Sequence, residues 1–260
     1  NEDLPPQEYN QGIAHQYDLN GDGNKDLFNT GNLWLTDNGK FVESHNNLPD
    51  FMLSNLNADG VDVGLFVHDH AVGDLNGDGF VDIFMPNTTP VSSQNNMYKF
   101  FMLNDGNGNF TNTSFEVGHS PYFATSTTIA DFDGDGYGDI ALGWSDYAYI
   151  DLGGNSVGGI YWGNAETDYT KDYTALPPGY YEHNIAFDMQ ATDINADGLL
   201  DLVIANTRGD EYYVGHVLQF LTNNGDRTFD HAAFRTEELI DNVNNGVSHI
   251  YILDFDHDGI

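Results

Sequence analysis

Short apolar runs of strand length recur along this chain, each directly behind an acidic, glycine-bearing stretch: DLF from Asp26, DIFM from Asp82, DIAL from Asp139 and DLVI from Asp201. Apolar runs this short, bounded by turn residues, read as buried strands. No segment sustains a helical period. A strand also precedes each acidic stretch, as FATSTTIA from Phe123 does before the third. Further on, LWLTDNGKF from Leu33, FMLNDGNGNF from Phe101 and FLTNNGDRTF from Phe220 each give strand, Asn/Asp/Gly turn and strand, and IYWGNAETDY from Ile160 is a looser version. Each unit therefore predicts four antiparallel strands, which is the blade of a β-propeller.

The acidic stretches are near-copies of one another. DLNGDGNKD begins at Asp18, DLNGDGFVD at Asp74, DFDGDGYGD at Asp131 and DINADGLLD at Asp193, and DFDHDGI follows from Asp254. Their starts lie 56, 57, 62 and 61 residues apart, a period that belongs to radial or stacked repeats. Oxygen ligands at positions 1, 3 and 5, a turning Gly at 6 and a backbone carbonyl at 7 are how a calcium loop wraps its ion. Position 6 is Gly23, Gly79, Gly136, Gly198 and Gly259. An EF-hand would be closed by Glu at position 12, where Asn29, Met85, Leu142 and Ile204 stand instead. The closing carboxylate is expected at position 9.

The expected ligands are therefore Asp18, Asn20, Asp22, Asn24 and Asp26 in the first loop and Asp74, Asn76, Asp78, Phe80 and Asp82 in the second. The third loop offers Asp131, Asp133, Asp135, Tyr137 and Asp139, and the fourth Asp193, Asn195, Asp197, Leu199 and Asp201. The residues at position 7 act through their carbonyls. Asp254, Asp256 and Asp258 begin a fifth set. Four carboxylates against three plus an Asn predict that the third loop binds calcium most tightly. NLNADGVDV at 55–63 resembles a loop but carries Asn first and Val ninth, and reads as a turn.

Charge sharpens this reading. The formal net charge is −34, with only 7 Lys and Arg. Such a chain is no partner for nucleic acid phosphates or for anionic membrane surfaces. Five divalent ions would bring −34 to −24, so a solvated acidic surface accompanies the ligands. Cysteine is absent, which excludes disulfides and thiolate metal sites. No run has the roughly 18 apolar residues of a membrane span, and the first residues show no signal-peptide pattern.

The D-x-[DN]-x-D-G-x-x-D loop between strands, followed by the NDGNGNF turn, resembles the FG-GAP/VCBS-type repeats of integrin-α-like calcium-binding propellers. The resemblance covers nearly the whole chain and implies an all-β propeller whose calcium loops join the first and second strands of each blade. Blades are expected over about residues 11–50, 64–118, 122–176 and 184–236, with the next starting at 247–260. Propellers of this family have about seven blades. The chain is thus expected to be a fragment of a longer propeller with other domains attached. Sites of modest affinity fill only where calcium is near the millimolar range, which implies an extracellular, cell-surface or periplasmic location.

Chemistry beyond calcium is sparse. His68 and His70, read as one face of a strand with Asp69 opposite, are candidates for a second metal or acid–base site, as are Glu182 and His183. Trp34 and Trp162 read as core. Trp144, with Asp146, Tyr147 and Tyr149 close by, falls in a connection that the resemblance places opposite the calcium loops. Tyr180, Tyr181 and Arg208 would join it in a platform suited to a sugar ring. Asn87, Asn109 and Asn112 open formal glycosylation sequons. The leading expectation is a calcium-stabilised binding or adhesion module for glycan or protein ligands. The alternatives are the propeller of a polysaccharide lyase or hydrolase, and a structural repeat of a large surface protein.

Overall fold

A computed structural model describes residues 15–29, 32–49, 67–86, 99–113, 124–144, 158–181, 184–208, 214–232 and 249–252. The strands of the described residues fall into four antiparallel sheets of four, each a simple meander. The first contains β1 (His15–Tyr17), β2 (Asp26–Asn29), β3 (Asn32–Asp37) and β4 (Lys40–Glu43). The second contains β5 (Ala71–Gly73), β6 (Asp82–Pro86), β7 (Lys99–Asn104) and β8 (Phe110–Thr113). The third contains β9 (Ala124–Ala130), β10 (Asp139–Trp144), β11 (Gly158–Tyr161) and β12 (Tyr173–Ala175). The fourth contains β13 (Asn184–Thr192), β14 (Asp201–Arg208), β15 (Val214–Asn223) and β16 (Phe229–His231). Among the described residues the only helical piece is the 3-10 turn His45–Asn47, so no helix is long and apolar enough to cross a membrane. Each acidic nonapeptide joins the first strand of its sheet to the second.

Successive side chains of a strand point to opposite faces, and the core is divided accordingly. Ile83 and Met85 of β6 pack with Leu19, Phe28 and Leu33 of the first sheet, while Phe84 between them packs with Ile140, Leu142 and Tyr161 of the third. One strand further, Ala141 and Ile160 turn the other way and join Met189, Leu202, Ile204 and Leu221 of the fourth sheet. Each interface between consecutive sheets is therefore one apolar cluster. That is why the runs DIFM and DIAL are unbroken: both faces of the second strand are buried. The fourth strands carry the exposed positions, as in β4 and β16.

Polar groups in and just ahead of the first strands link successive repeats. Asp69 accepts the Thr127 amide at 2.9 Å, and Asp188 accepts that of Ile250 at 2.5 Å. Both carboxylates stand five residues ahead of their acidic loop, and both amides stand four ahead of the next one. Between the third and fourth sheets Thr125 and Ser126 hydroxyls donate to the Ala186 carbonyl at 2.6 and 2.8 Å. Strand β5 begins only at Ala71, so His68, Asp69 and His70 do not alternate along a strand as expected. Asp69 is buried and tied to the His70 and Thr127 amides, and His70 lies edge-on to Phe28 with centroids 4.8 Å apart. Trp162 is buried as expected, whereas Trp34 is only partly covered and sits edge-on to His45. Glu182, His183 and residues 55–63 lie outside the described residues.

Candidate metal centres

The four loops fold alike because their own side chains cap their own backbones. The position-1 carboxylate takes the amides of positions 5 and 6, as Asp74 does with Asp78 at 3.1 Å and Gly79 at 2.8 Å. Asp18, Asp131 and Asp193 repeat this with Gly23, Gly136 and Gly198 at 2.9, 3.0 and 2.8 Å. Position 3 accepts the position-5 amide, and position 5 accepts the position-7 amide: Asp22 from Asn24, Asp78 from Phe80, Asp135 from Tyr137 and Asp197 from Leu199. Position 6 has φ between +85° and +92°, a conformation that suits glycine. Position 4 is also left-handed, a requirement the sequence reading missed; Ala196 meets it with φ +60°.

Position 9 is different in kind. Asp26, Asp82, Asp139 and Asp201 are fully buried. One oxygen of each accepts the amide of position 2, from Leu19, Leu75, Phe132 and Ile194 at 2.8–2.9 Å. The other accepts an amide within two residues of the end of the third strand: Thr36, Asn104, Gly163 and Asn223 at 2.7–2.9 Å. The carboxylate thus ties loop to sheet before any ion is considered. Burial pushes Asp82 up to about 6 and Asp139 to about 7, against opposing amide bonds and with help from neighbouring loop carboxylates. Asp26 is raised by the same cause.

These shifts fix a pH dependence. A folded-state value above the unfolded one favours the fold at low pH and penalises it as pH rises through the folded value. With divalent ions chelated, stability is expected to decline between about pH 4 and pH 7. Asp168 is held down to about 2, chiefly by Thr170, so its contribution is lost only in more acidic solution. With calcium present the trend should flatten or reverse, because the ion favours the deprotonated loop. Melting temperatures across this range, with and without chelator, measure both.

A side-chain clasp links each loop to its neighbour. The Asn104 carboxamide donates to Val81 O in its own loop at 3.0 Å and to Leu19 O of the preceding loop at 2.7 Å. Asn223 does the same with Leu200 O at 3.1 Å and Phe132 O at 2.7 Å. In the third sheet Gly163 has no side chain to offer, and the Tyr169 hydroxyl reaches Gly138 O at 2.7 Å and Leu75 O at 3.3 Å instead. Sequence reading missed this role. Its signal was an Asn 22 residues after position 9 in both the NDG and NNG turns. Asn223→Ala takes this donor from the buried Phe132 carbonyl and the part-buried Leu200 carbonyl and is expected to cost about 1–3 kcal/mol, measured by denaturant unfolding.

The donor set fits a hard divalent cation. Every ligand atom is oxygen, and carboxylate oxygens of Asp131, Asp133 and Asp139 lie within 4.8 Å of one another. Asp133 also meets Arg227, which approaches from the fourth sheet. Asp254, Asp256 and Asp258 lie outside the described residues. At the opposite ends of the sheets, Trp144 closes β10 and is partly covered, and Tyr180 is exposed, edge-on to Tyr181 with centroids 5.0 Å apart. These residues and the backbone of Arg208, at the end of β14, share the side away from the acidic loops. Asp146, Tyr147, Tyr149 and the Arg208 side chain lie outside the described residues.

The FG-GAP-like repeat family matches this chain over residues 74–142 and 193–260. Among solved structures, an Agrocybe aegerita lectin described as specifically recognising non-reducing terminal N-acetylglucosamine is similar to it at 18% identity and a TM-score of 0.49. That match covers 89% of this chain and 52% of the lectin, so the chain spans about half the lectin's length. No curated protein matches the chain.

Proposed function

The chain belongs to the FG-GAP-like repeat family, and from that premise we propose that it is a calcium-stabilised propeller module that binds glycan or protein ligands outside the cell. The observation that carries the calcium reading is the convergence of the Asp131, Asp133 and Asp139 oxygens around one point, in a loop whose hydrogen bonding recurs in three others. The position-1, -3, -5 and -9 side chains and the position-7 carbonyls would hold the ion. When bound, it would neutralise carboxylates that otherwise repel. The protein's own part is to pin each carboxylate with backbone amides, so that little order remains to be imposed on binding.

Location follows from affinity. Extracellular calcium, near the millimolar range, would fill such loops even at modest affinity, whereas cytosolic calcium would not. The ligand face would be the end of the sheets that carries Trp144, Tyr180 and Tyr181, where aromatic rings with polar neighbours can stack on sugars. Glycan-array and protein pull-down binding in calcium buffer tests this directly. Retention that is lost on chelation or on Trp144→Ala supports it. New reducing or unsaturated chain ends in the glycan would overturn it in favour of an enzyme.

A further inference from the structure

Among positions 1, 3, 5 and 9, the third loop differs from the other three only at position 3. In loops one, two and four, position 3 is Asn, and its amide group donates to the position-5 carboxylate: Asn20 to Asp22 at 3.4 Å, Asn76 to Asp78 at 2.9 Å and Asn195 to Asp197 at 2.8 Å. Asp133 replaces that N–H with a charged oxygen, which would face Asp135 as acceptor against acceptor. A guanidinium occupies this place. Arg227 Nε lies 2.7 Å and Nη2 2.5 Å from Asp133 Oδ2, and Nη2 lies 3.8 Å from Asp135 Oδ2. The same side chain reaches Asp172 at 3.5 Å and covers the Trp162 ring at 5.0 Å.

Arg227 comes from the β15–β16 turn of the next sheet, and the chain contains its own comparison. In the turns NDGNGNF and NNGDRTF, Gly108 and Arg227 are equivalent, with φ of +76° and +66°. Gly108 overhangs the first loop, where a Cβ added to it would lie 3.3 Å from that of Asn20. Asn20 therefore faces Gly108, and Asp133 faces Arg227. A left-handed backbone disfavours Arg relative to Gly, so the contacts of this side chain must offset that cost.

We propose that Arg227 is the resident cation of the third loop. It supplies the positive charge that Asp133 requires in place of Asn, docks the fourth sheet on the third when no metal is bound, and lowers the calcium affinity of that loop to the level of its neighbours. Four carboxylates and one guanidinium give −3, the charge of the second and fourth loops with their three Asp each. The third loop is then not the tightest site, contrary to the count of its carboxylates. The affinity part rests on the calcium reading above.

The test uses the full chain with R227G, R227Q, D133N and the double variant D133N/R227G, which recreates the Asn20–Gly108 pair. Two quantities are measured: the melting temperature in chelator, and calcium displacement of terbium. Tyr137 at position 7 of the third loop packs its ring over Gly77 of the second, so it sensitises terbium in these two loops together, of which Arg227 touches only the third. R227G and R227Q are expected to melt lower without metal and to split the Tyr137-sensitised calcium titration, one component tightening about tenfold while the second-loop component stays in place. The double variant is expected to return both readings close to wild type. Unchanged or weaker calcium affinity in R227G and R227Q, or additive effects in the double variant, would overturn the proposal and leave Arg227 a strut between sheets. A wild-type chain that gives no terbium or calcium response overturns the calcium reading itself, and this inference with it.

Discussion

Chelation is expected to lower the melting temperature of this protein by about 10–20 °C relative to calcium near 1 mM. With a dissociation constant of about 0.1 mM, mass action adds about 1.4 kcal/mol for each occupied loop. Four loops then contribute about 6 kcal/mol, comparable to the whole net stability of an ordinary domain. The effect should be shared along the chain, because Asn104, Asn223 and Tyr169 tie each loop to a neighbour. Calorimetry in calcium, magnesium and chelator checks it. Magnesium demands tighter octahedral geometry and should substitute poorly. Equal melting temperatures in all three buffers would rule the calcium reading out.

Asp139→Ala is expected to cost about 3–5 kcal/mol even in chelator, the second large effect. Both amides it serves, Phe132 and Gly163, belong to buried residues, and no water takes the place of the lost oxygens without opening the loop. Asp139→Asn keeps one carboxamide oxygen as acceptor and should cost less. The exposed loop carboxylates give the contrast. Asp135→Ala leaves only the exposed ion-facing side of the loop short of an acceptor, so its loss should appear chiefly as a reduced response to calcium. Denaturant unfolding of these variants, with and without calcium, separates the two roles. An Asp139→Ala chain as stable as wild type in chelator would show that the buried carboxylate is not the tie its hydrogen bonds indicate.

Much of this was legible in the sequence because the requirements are local. A loop that gathers oxygens from alternate residues must write D-x-[DN]-x-D-G-x-x-D, since each cap runs over two to five residues of backbone. A second strand covered on both sides must be apolar without alternation, as DIAL is. A four-strand meander must place turn residues between its third and fourth strands, as NDGNGNF and NNGDRTF do. Fold class and loop positions therefore followed from pattern.

A count of carboxylates does not register Arg227 beside the third loop, because it lies 94 residues from Asp133 and belongs to another sheet. The clasps span 85 to 94 residues, and the Asp69 and Asp188 staples span 58 and 62. The sequence alone determined the repeating unit, since hydrogen bonds within a turn depend on a few consecutive residues. Only the tertiary structure decided how units engage, because which oxygen meets which donor across two sheets depends on their packing and not on the order of residues in either.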